Sequence, residues 1–96
     1  MQQDVDVIHN AAASRFEATI DGLVSVAEYR RSGAQMIFTH TEVPPQLQGR
    51  GIAAELAHAA LEYARAEQLQ VVPLCWYIAQ YIHRHPEYAA LVQAKP

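Results

Sequence analysis

The chain carries little cysteine, little glycine and no surplus of basic residues, and each shortage closes off a class of function. One cysteine, Cys75, stands among 96 residues, so no intramolecular disulfide can form. A zinc site built on several cysteines is excluded on the same count. Seven Lys and Arg stand against ten Asp and Glu, a formal charge of −3. A nucleic-acid-binding face needs clustered positive charge, and an anionic membrane surface attracts the same, so neither partner is expected. No apolar run approaches the roughly 20 residues that span a bilayer. The opening residues, Met1-Gln2-Gln3-Asp4-Val5-Asp6, are polar and acidic where a secretory leader would carry a basic start and an apolar run. No linker, repeat or low-complexity tract interrupts the chain. The expectation is one reduced, cytoplasmic, soluble domain over residues 1–96.

Apolar residues, by contrast, are plentiful at 51%. A chain of this size buries roughly 60–70% of its unfolded surface, enough for one modest core. Val5 and Val7, with His9, alternate with Asp4, Asp6 and Ile8 and suggest a short first strand ending near Asn10-Ala11. Phe16, Ala18 and Ile20 alternate with Arg15, Glu17 and Thr19, the period of a half-buried strand. Asp21-Gly22 is a tight-turn signal. Leu23 to Arg31 resumes as a strand marked by Val24, Val26 and Tyr29, and Ser32-Gly33 makes the next turn. Gln35 to Val43 is the fourth strand. Pro44-Pro45 stops it, because proline donates nothing to a ladder.

A helix is predicted from about Gly51 to Gln68, with Ile52, Leu56, Ala60 and Ala64 forming one apolar stripe. Val71 to Cys75 reads as a fifth strand, parallel to the fourth through the helical crossover. Its outer edge either pairs with another chain or is covered by the C-terminal helix. Trp76 to Gln93 reads as helix, broken or restarted at Pro86. The order β-β-β-β-α-β-α describes an α+β fold: a mostly antiparallel sheet of about five strands with two to three helices behind it.

The segment with chemical content is the glycine-spaced loop Gln46-Leu47-Gln48-Gly49-Arg50-Gly51. Glycine lets backbone approach a ligand and adopt positive φ. The free N–H groups and the dipole of the following helix start favour an anion, most naturally a phosphate. Arg50 can add a bidentate contact. The Walker pattern fails for want of Gly-Lys-Ser/Thr. Gly49-Arg50-Gly51-Ile52-Ala53-Ala54 reads as GxGxxA, but a dinucleotide fold needs a direct strand-to-helix turn and several later βα units. Two readings remain: a pyrophosphate loop on a splayed sheet, or a plain turn and helix cap in a structural α+β domain.

That loop matches the Q/R-x-x-G-x-G/A acetyl-CoA motif of the GNAT superfamily of N-acetyltransferases. Leu23 to Arg31, Thr39-His40-Thr41-Glu42-Val43-Pro44, Gly49-Arg50-Gly51-Ile52-Ala53 and Ala60-Leu61 resemble its short, single-domain branch, the YjdJ-like or N-acetyltransferase-domain-containing proteins. So do Val72-Pro73-Leu74-Cys75 and Tyr81-Ile82-His83-Arg84-His85-Pro86-Glu87-Tyr88. The resemblance covers about Phe16 to Val92. It implies a sheet splayed between strands 4 and 5, with acetyl-CoA in the gap. Pantetheine amides would pair with backbone at Thr41, Glu42 and Val43. The pyrophosphate would take N–H groups of Gln48, Gly49, Arg50, Gly51, Ile52 and Ala53. Cys75 and Tyr81 complete the expected coenzyme contacts. The chain has no room for the two helices usually inserted between the first strands, which often wall the acceptor site.

The implied activity is acetyl transfer from acetyl-CoA to an amine by direct attack on the thioester. The acceptor is a small molecule or a peptide, and the acidic balance of the chain tilts it towards a cation. The alternative is a non-catalytic acyl-CoA-binding or sensor module. Cys75 falls near the thioester as a nucleophile or acetyl carrier, or else as a small buried hydrophobe. Glu42 and His40 share one face of strand 4, placed to deprotonate an acceptor or simply solvated there. Tyr77 and Tyr81 are i, i+4 neighbours, and Tyr77 is the candidate donor to the leaving thiolate, with plain packing as the competing role. His58, His83 and His85 do not assemble a metal site, and none is expected. His85-Pro86-Glu87-Tyr88 reads as a helix junction.

Overall fold

The computed structural model describes residues 5–92. Five strands form one sheet in the order β1-β2-β3-β4-β5. They are β1 (Ile8–Asn10), β2 (Arg15–Ile20), β3 (Leu23–Ser32), β4 (Gln35–Glu42) and β5 (Gln70–Pro73). Helix α1 (Ile52–Ala66) joins β4 to β5, and α2 (Trp76–Arg84) follows β5. Single 3-10 turns occupy Ala11–Ala13 and Pro45–Leu47, and a longer one spans Pro86–Leu91. The first four strands pair antiparallel and β4 pairs parallel with β5, as an α1 crossover requires.

The predicted order of elements is present, with three local differences. The first strand starts at Ile8 rather than Val5, although Val5 and Val7 still pack on the core. The fifth strand ends at Pro73, whose missing N–H ends the ladder, so Cys75 is the N-cap of α2 rather than the last strand residue. The C-terminal segment is not one helix. It stops at Arg84, tightens into the 3-10 turn from Pro86, and brings Val92 beside Val71 in an isolated parallel bridge that covers part of the β5 edge. Gln93, the expected end of this segment, and Asp4 lie outside the described residues.

One face of the sheet carries the core. Phe16 and Ala18 of β2, Ala27 and Tyr29 of β3, Met36 and Phe38 of β4 and Val71 of β5 meet Leu56, Ala57, Ala60, Leu61 and Ala64 of α1. Alanines at the contact let α1 sit close to the strands and favour helix intrinsically. Ile78 and Ile82 of α2 close the β5 end. Val24, expected as an apolar marker of strand 3, is 45% exposed on the opposite face, as its register partner Thr19 requires. Ser25 and Ala27 take the core-facing positions instead.

Ser25 is wholly buried, and its hydroxyl has no hydrogen-bond partner among the described residues. An unmet buried polar group costs about 1–3 kcal/mol. Ser25→Ala is therefore expected to be neutral or to stabilise by about 1 kcal/mol in chemical denaturation. A clear loss of stability would contradict this reading.

Two side-chain clusters tie the ends of the chain to this core. His9 stacks on Phe16 with ring centroids 4.2 Å apart, meets the edge of Tyr63 at 4.4 Å, and lies 2.5 Å from the Tyr29 hydroxyl. Burial, then the charge of Arg31, lowers the His9 pKa. The fold thus favours the neutral ring. Stability is fully present above the ordinary imidazole range, near pH 6.5, and declines as the pH falls below it. His9→Phe is expected to flatten that acid limb of a stability-versus-pH curve. At the other end, the Tyr88 hydroxyl donates to Glu62 at 2.6 Å and lies 3.1 Å from His58 Nδ1, with Arg65 over its ring. This hydrogen bond holds the Glu62 carboxyl below its usual range, while burial and Glu62 raise the phenol. The cluster pins the segment after Pro86 onto α1.

Candidate active site

The chemistry of the site begins with one extra residue in β4. The β3–β4 register runs from Ser32↔Gln35 to Tyr29↔Phe38, then shifts so that Glu28 faces His40. Thr39 is the residue left over, a β-bulge that re-aims the rest of the strand. Beyond it Thr41 faces the helices, whereas His40 and Glu42 face away from them. The β4–β5 ladder ends at Phe38↔Pro73, although β4 continues to Glu42. One further bond, from the Cys75 N–H to the Phe38 carbonyl at 2.9 Å, marks where the two strands part.

A cleft of about 710 Å³ opens at that parting. One wall is Thr39, His40, Thr41 and Val43; the other is Leu74, Cys75, Trp76 and Tyr77. Its end is built by the loop and helix start, including Gln48, Gly49, Gly51, Ile52, Ala53 and Ala54. Of the residues expected there, Glu42, Arg50 and Tyr81 are not among those lining it. Glu42 stands behind His40, its Oε1 3.2 Å from His40 Nε2. Arg50 Nη1 lies 3.5 Å from Asp21 Oδ2 of the β2–β3 turn. Tyr81 stacks on His85 at 3.9 Å, towards Tyr88. Sequence reasoning missed Thr39, Leu47, Ala54, Leu74 and Trp76. Thr39, Leu47 and Ala54 adjoin residues that the motif did mark, whereas nothing in the spacing marked Leu74 and Trp76.

The loop end has the features an anion needs. Gly49 and Gly51 have φ of +84° and +79°, values that L side chains rarely adopt. A Cβ at either would meet nothing within 4 Å, because both face the open cleft. Gly51 caps α1 without any side-chain hydrogen bond. Its carbonyl accepts from Glu55, which leaves the N–H groups of Ile52, Ala53 and Ala54 as unmet first-turn donors facing the cleft. The Gln48 side chain donates to the Val43 carbonyl at 3.0 Å and ties the loop to the end of β4. At the parting of the strands, Thr41 Oγ1 lies 3.5 Å from Cys75 Sγ. Burial raises the Tyr77 pKa, so its hydroxyl stays protonated at neutral pH.

No cluster of His, Cys, Asp and Glu able to hold a metal ion occurs among the described residues. No helix among them is long and apolar enough to cross a membrane.

The five-stranded α+β sheet, splayed beside a glycine-capped helix, has counterparts among known proteins. The solution structure of a GCN5-like protein from Staphylococcus aureus superposes with a TM-score of 0.74, covering 99% of this chain and 94% of its own at 18% identity. That likeness establishes the fold. The sequence model of the GCN5-related N-acetyltransferase family matches residues 15–91. The chain belongs to that family. Among curated proteins it is similar to protein NATD1 of chicken (Gallus gallus) and of mouse (Mus musculus). Each is 35% identical over 85 residues, spanning 85% of this chain and 77% of the relative.

Proposed function

We propose that this protein is an acetyl-CoA-dependent N-acetyltransferase in which an amine attacks the thioester directly. The observation that carries the reading is continuity: the unmet helix-start donors, the unpaired stretch of β4, Cys75 and Tyr77 all border one cleft. Bound acetyl-CoA supplies an acetyl group on a thioester carbon, where the amine forms a C–N bond, the C–S bond breaks and the coenzyme thiolate leaves.

The chain's residues have four tasks. The backbone of Gly49, Gly51, Ile52 and Ala53 holds the pyrophosphate. The β4 backbone from Thr41 to Val43 pairs with the pantetheine arm and fixes its depth, and positioning of this kind supplies much of the acceleration in a two-substrate transfer. His40, whose Nε2 lies 3.2 Å from Glu42 Oε1, takes a proton from the incoming ammonium, directly or through water. The protonated Tyr77 hydroxyl donates to the leaving sulfur, and the second proton that the nitrogen loses on becoming an amide restores the phenol. Cys75 is buried against Thr41 and packs at the parting of the strands, so we assign it to the wall rather than to a covalent step.

Amine-dependent release of coenzyme A thiol tests the reading. Release that saturates in both substrates is the expected result. Tight coenzyme binding without release by any amine would favour a non-catalytic acyl-CoA-binding module, a reading suggested by the sheet face left bare of helices beside His40.

A further inference from the structure

Resting on the acetyltransferase reading, we infer that the acceptor is a primary monoamine carried on an apolar, preferably aromatic, body. Its ammonium is held by the His40–Glu42 pair, and its body lies across Leu74 and Trp76.

Four large apolar side chains are exposed among the described residues: Ile8, Val24, Leu74 and Trp76. Two of them, Leu74 at 67% and Trp76 at 73%, lie two residues apart in the wall of the one cleft assigned to catalysis. Leaving a tryptophan this bare forfeits the burial that normally pays for so large a side chain, and such a rim is the signature of a surface that something apolar covers. The connection that holds them is not loose. Leu74 N–H donates to the Val72 carbonyl and Cys75 N–H to the Phe38 carbonyl, and the Trp76 ring sits edge-on to Tyr77 at 6.0 Å. Both side chains are presented by a fixed turn rather than shed from a flexible one.

The opposite wall has different chemistry. His40 lines the cleft with Glu42 behind it, and Glu28 is His40's register partner on the same face of the sheet. Next along that row is Arg15, whose guanidinium is already engaged with Glu17 at 2.7 Å. Glu42 and Glu28 thus flank the imidazole, with Arg15 and Arg30 farther along the same face. An anionic acceptor is repelled there. A polyamine would want carboxylates along its whole length, but the facing wall offers it no carboxylate, only Leu74 and the indole of Trp76. A lysine side chain presents a flexible alkyl stem and leaves the indole largely uncovered. One cation followed by an apolar body satisfies both walls, because an indole face and edge pack well on a second ring.

The test uses the whole protein with acetyl-CoA and four acceptors: 2-phenylethylamine, methylamine, spermidine and a lysine-containing peptide. The expected kcat/KM for 2-phenylethylamine exceeds that of each other acceptor by about tenfold or more. Trp76→Ala is expected to raise the KM for 2-phenylethylamine about tenfold more than it raises the KM for methylamine, so that the ranking of the two collapses. Preference for spermidine or the peptide overturns the inference, as does a Trp76→Ala variant that keeps the parent's ranking. Coenzyme binding with no turnover of any amine overturns it as well. Failure to bind the coenzyme at all overturns the acetyltransferase reading itself, and calorimetry separates that case from the others.

Discussion

Gly51→Glu is expected to abolish coenzyme binding while the protein stays folded. Gly51 ends the loop with φ +79°, caps α1 without a side-chain bond and faces open cleft. A glutamate there places its carboxylate among the N–H groups proposed for the pyrophosphate. Two like charges about 4 Å apart repel by about 4 kcal/mol at an effective dielectric near 20, which corresponds to a loss of affinity of about a thousandfold. The new side chain also competes for the helix-start donors. The left-handed backbone costs about 1–2 kcal/mol for any L residue, so both Gly51→Ala and Gly51→Glu lose about that much stability. Only the second loses the ligand. Equal binding by the glutamate variant would move the phosphate site elsewhere; equal loss in both variants would assign the effect to backbone strain.

Phe38→Ala is expected to be the most damaging single core change. Phe38 is fully buried where β4 and β5 part, against Tyr29 at 6.2 Å between ring centroids, and its carbonyl holds Cys75. Truncating a buried phenylalanine costs about 3–5 kcal/mol, against total stabilities of about 5–15 kcal/mol for small domains. Denaturant melts should show a midpoint shift of that size with little change in slope. Because the same residue anchors the apex of the cleft, coenzyme affinity should fall in any fraction that stays folded. A loss below about 1 kcal/mol would show that the core repacks around the gap and that the splay does not depend on this ring.

Both predictions depend on features that differ in how plainly the sequence displays them. The helix start was legible because its requirements are compositional: two glycines flanking Arg50, then an apolar stripe at helical spacing. The strand order was legible for the same kind of reason, since Asp21-Gly22, Ser32-Gly33 and Pro44-Pro45 mark its boundaries. The Thr39 bulge was not. One inserted residue leaves the hydrophobic run Met36-Ile37-Phe38 intact and has no composition of its own, yet it decides which side of the sheet His40 and Thr41 face. The inner face of β3 was hidden for another reason. Its core positions hold Ser25 and Ala27, small enough to admit α1, while the more conspicuous Val24 points away.

Cleft membership was the least legible feature. Arg50 and Tyr81 belong to the segments that build the region, but their side chains meet Asp21 and His85 instead. Which way a loop arginine or a helix tyrosine turns is settled by partners distant in sequence. Asp21 approaches Arg50 only because the β2–β3 hairpin reaches the loop. Trp76 shows the converse. It follows the strand end directly and its exposure is a property of the turn geometry, which sequence spacing alone does not specify.

Calorimetric titration of the purified protein with acetyl-CoA, alongside coenzyme A, NADH and ATP, tests the central claim most directly. The account predicts saturable binding of acetyl-CoA and coenzyme A, with neither NADH nor ATP matching them. Absence of binding by the coenzyme A pair, or equal binding of NADH or ATP, would contradict it.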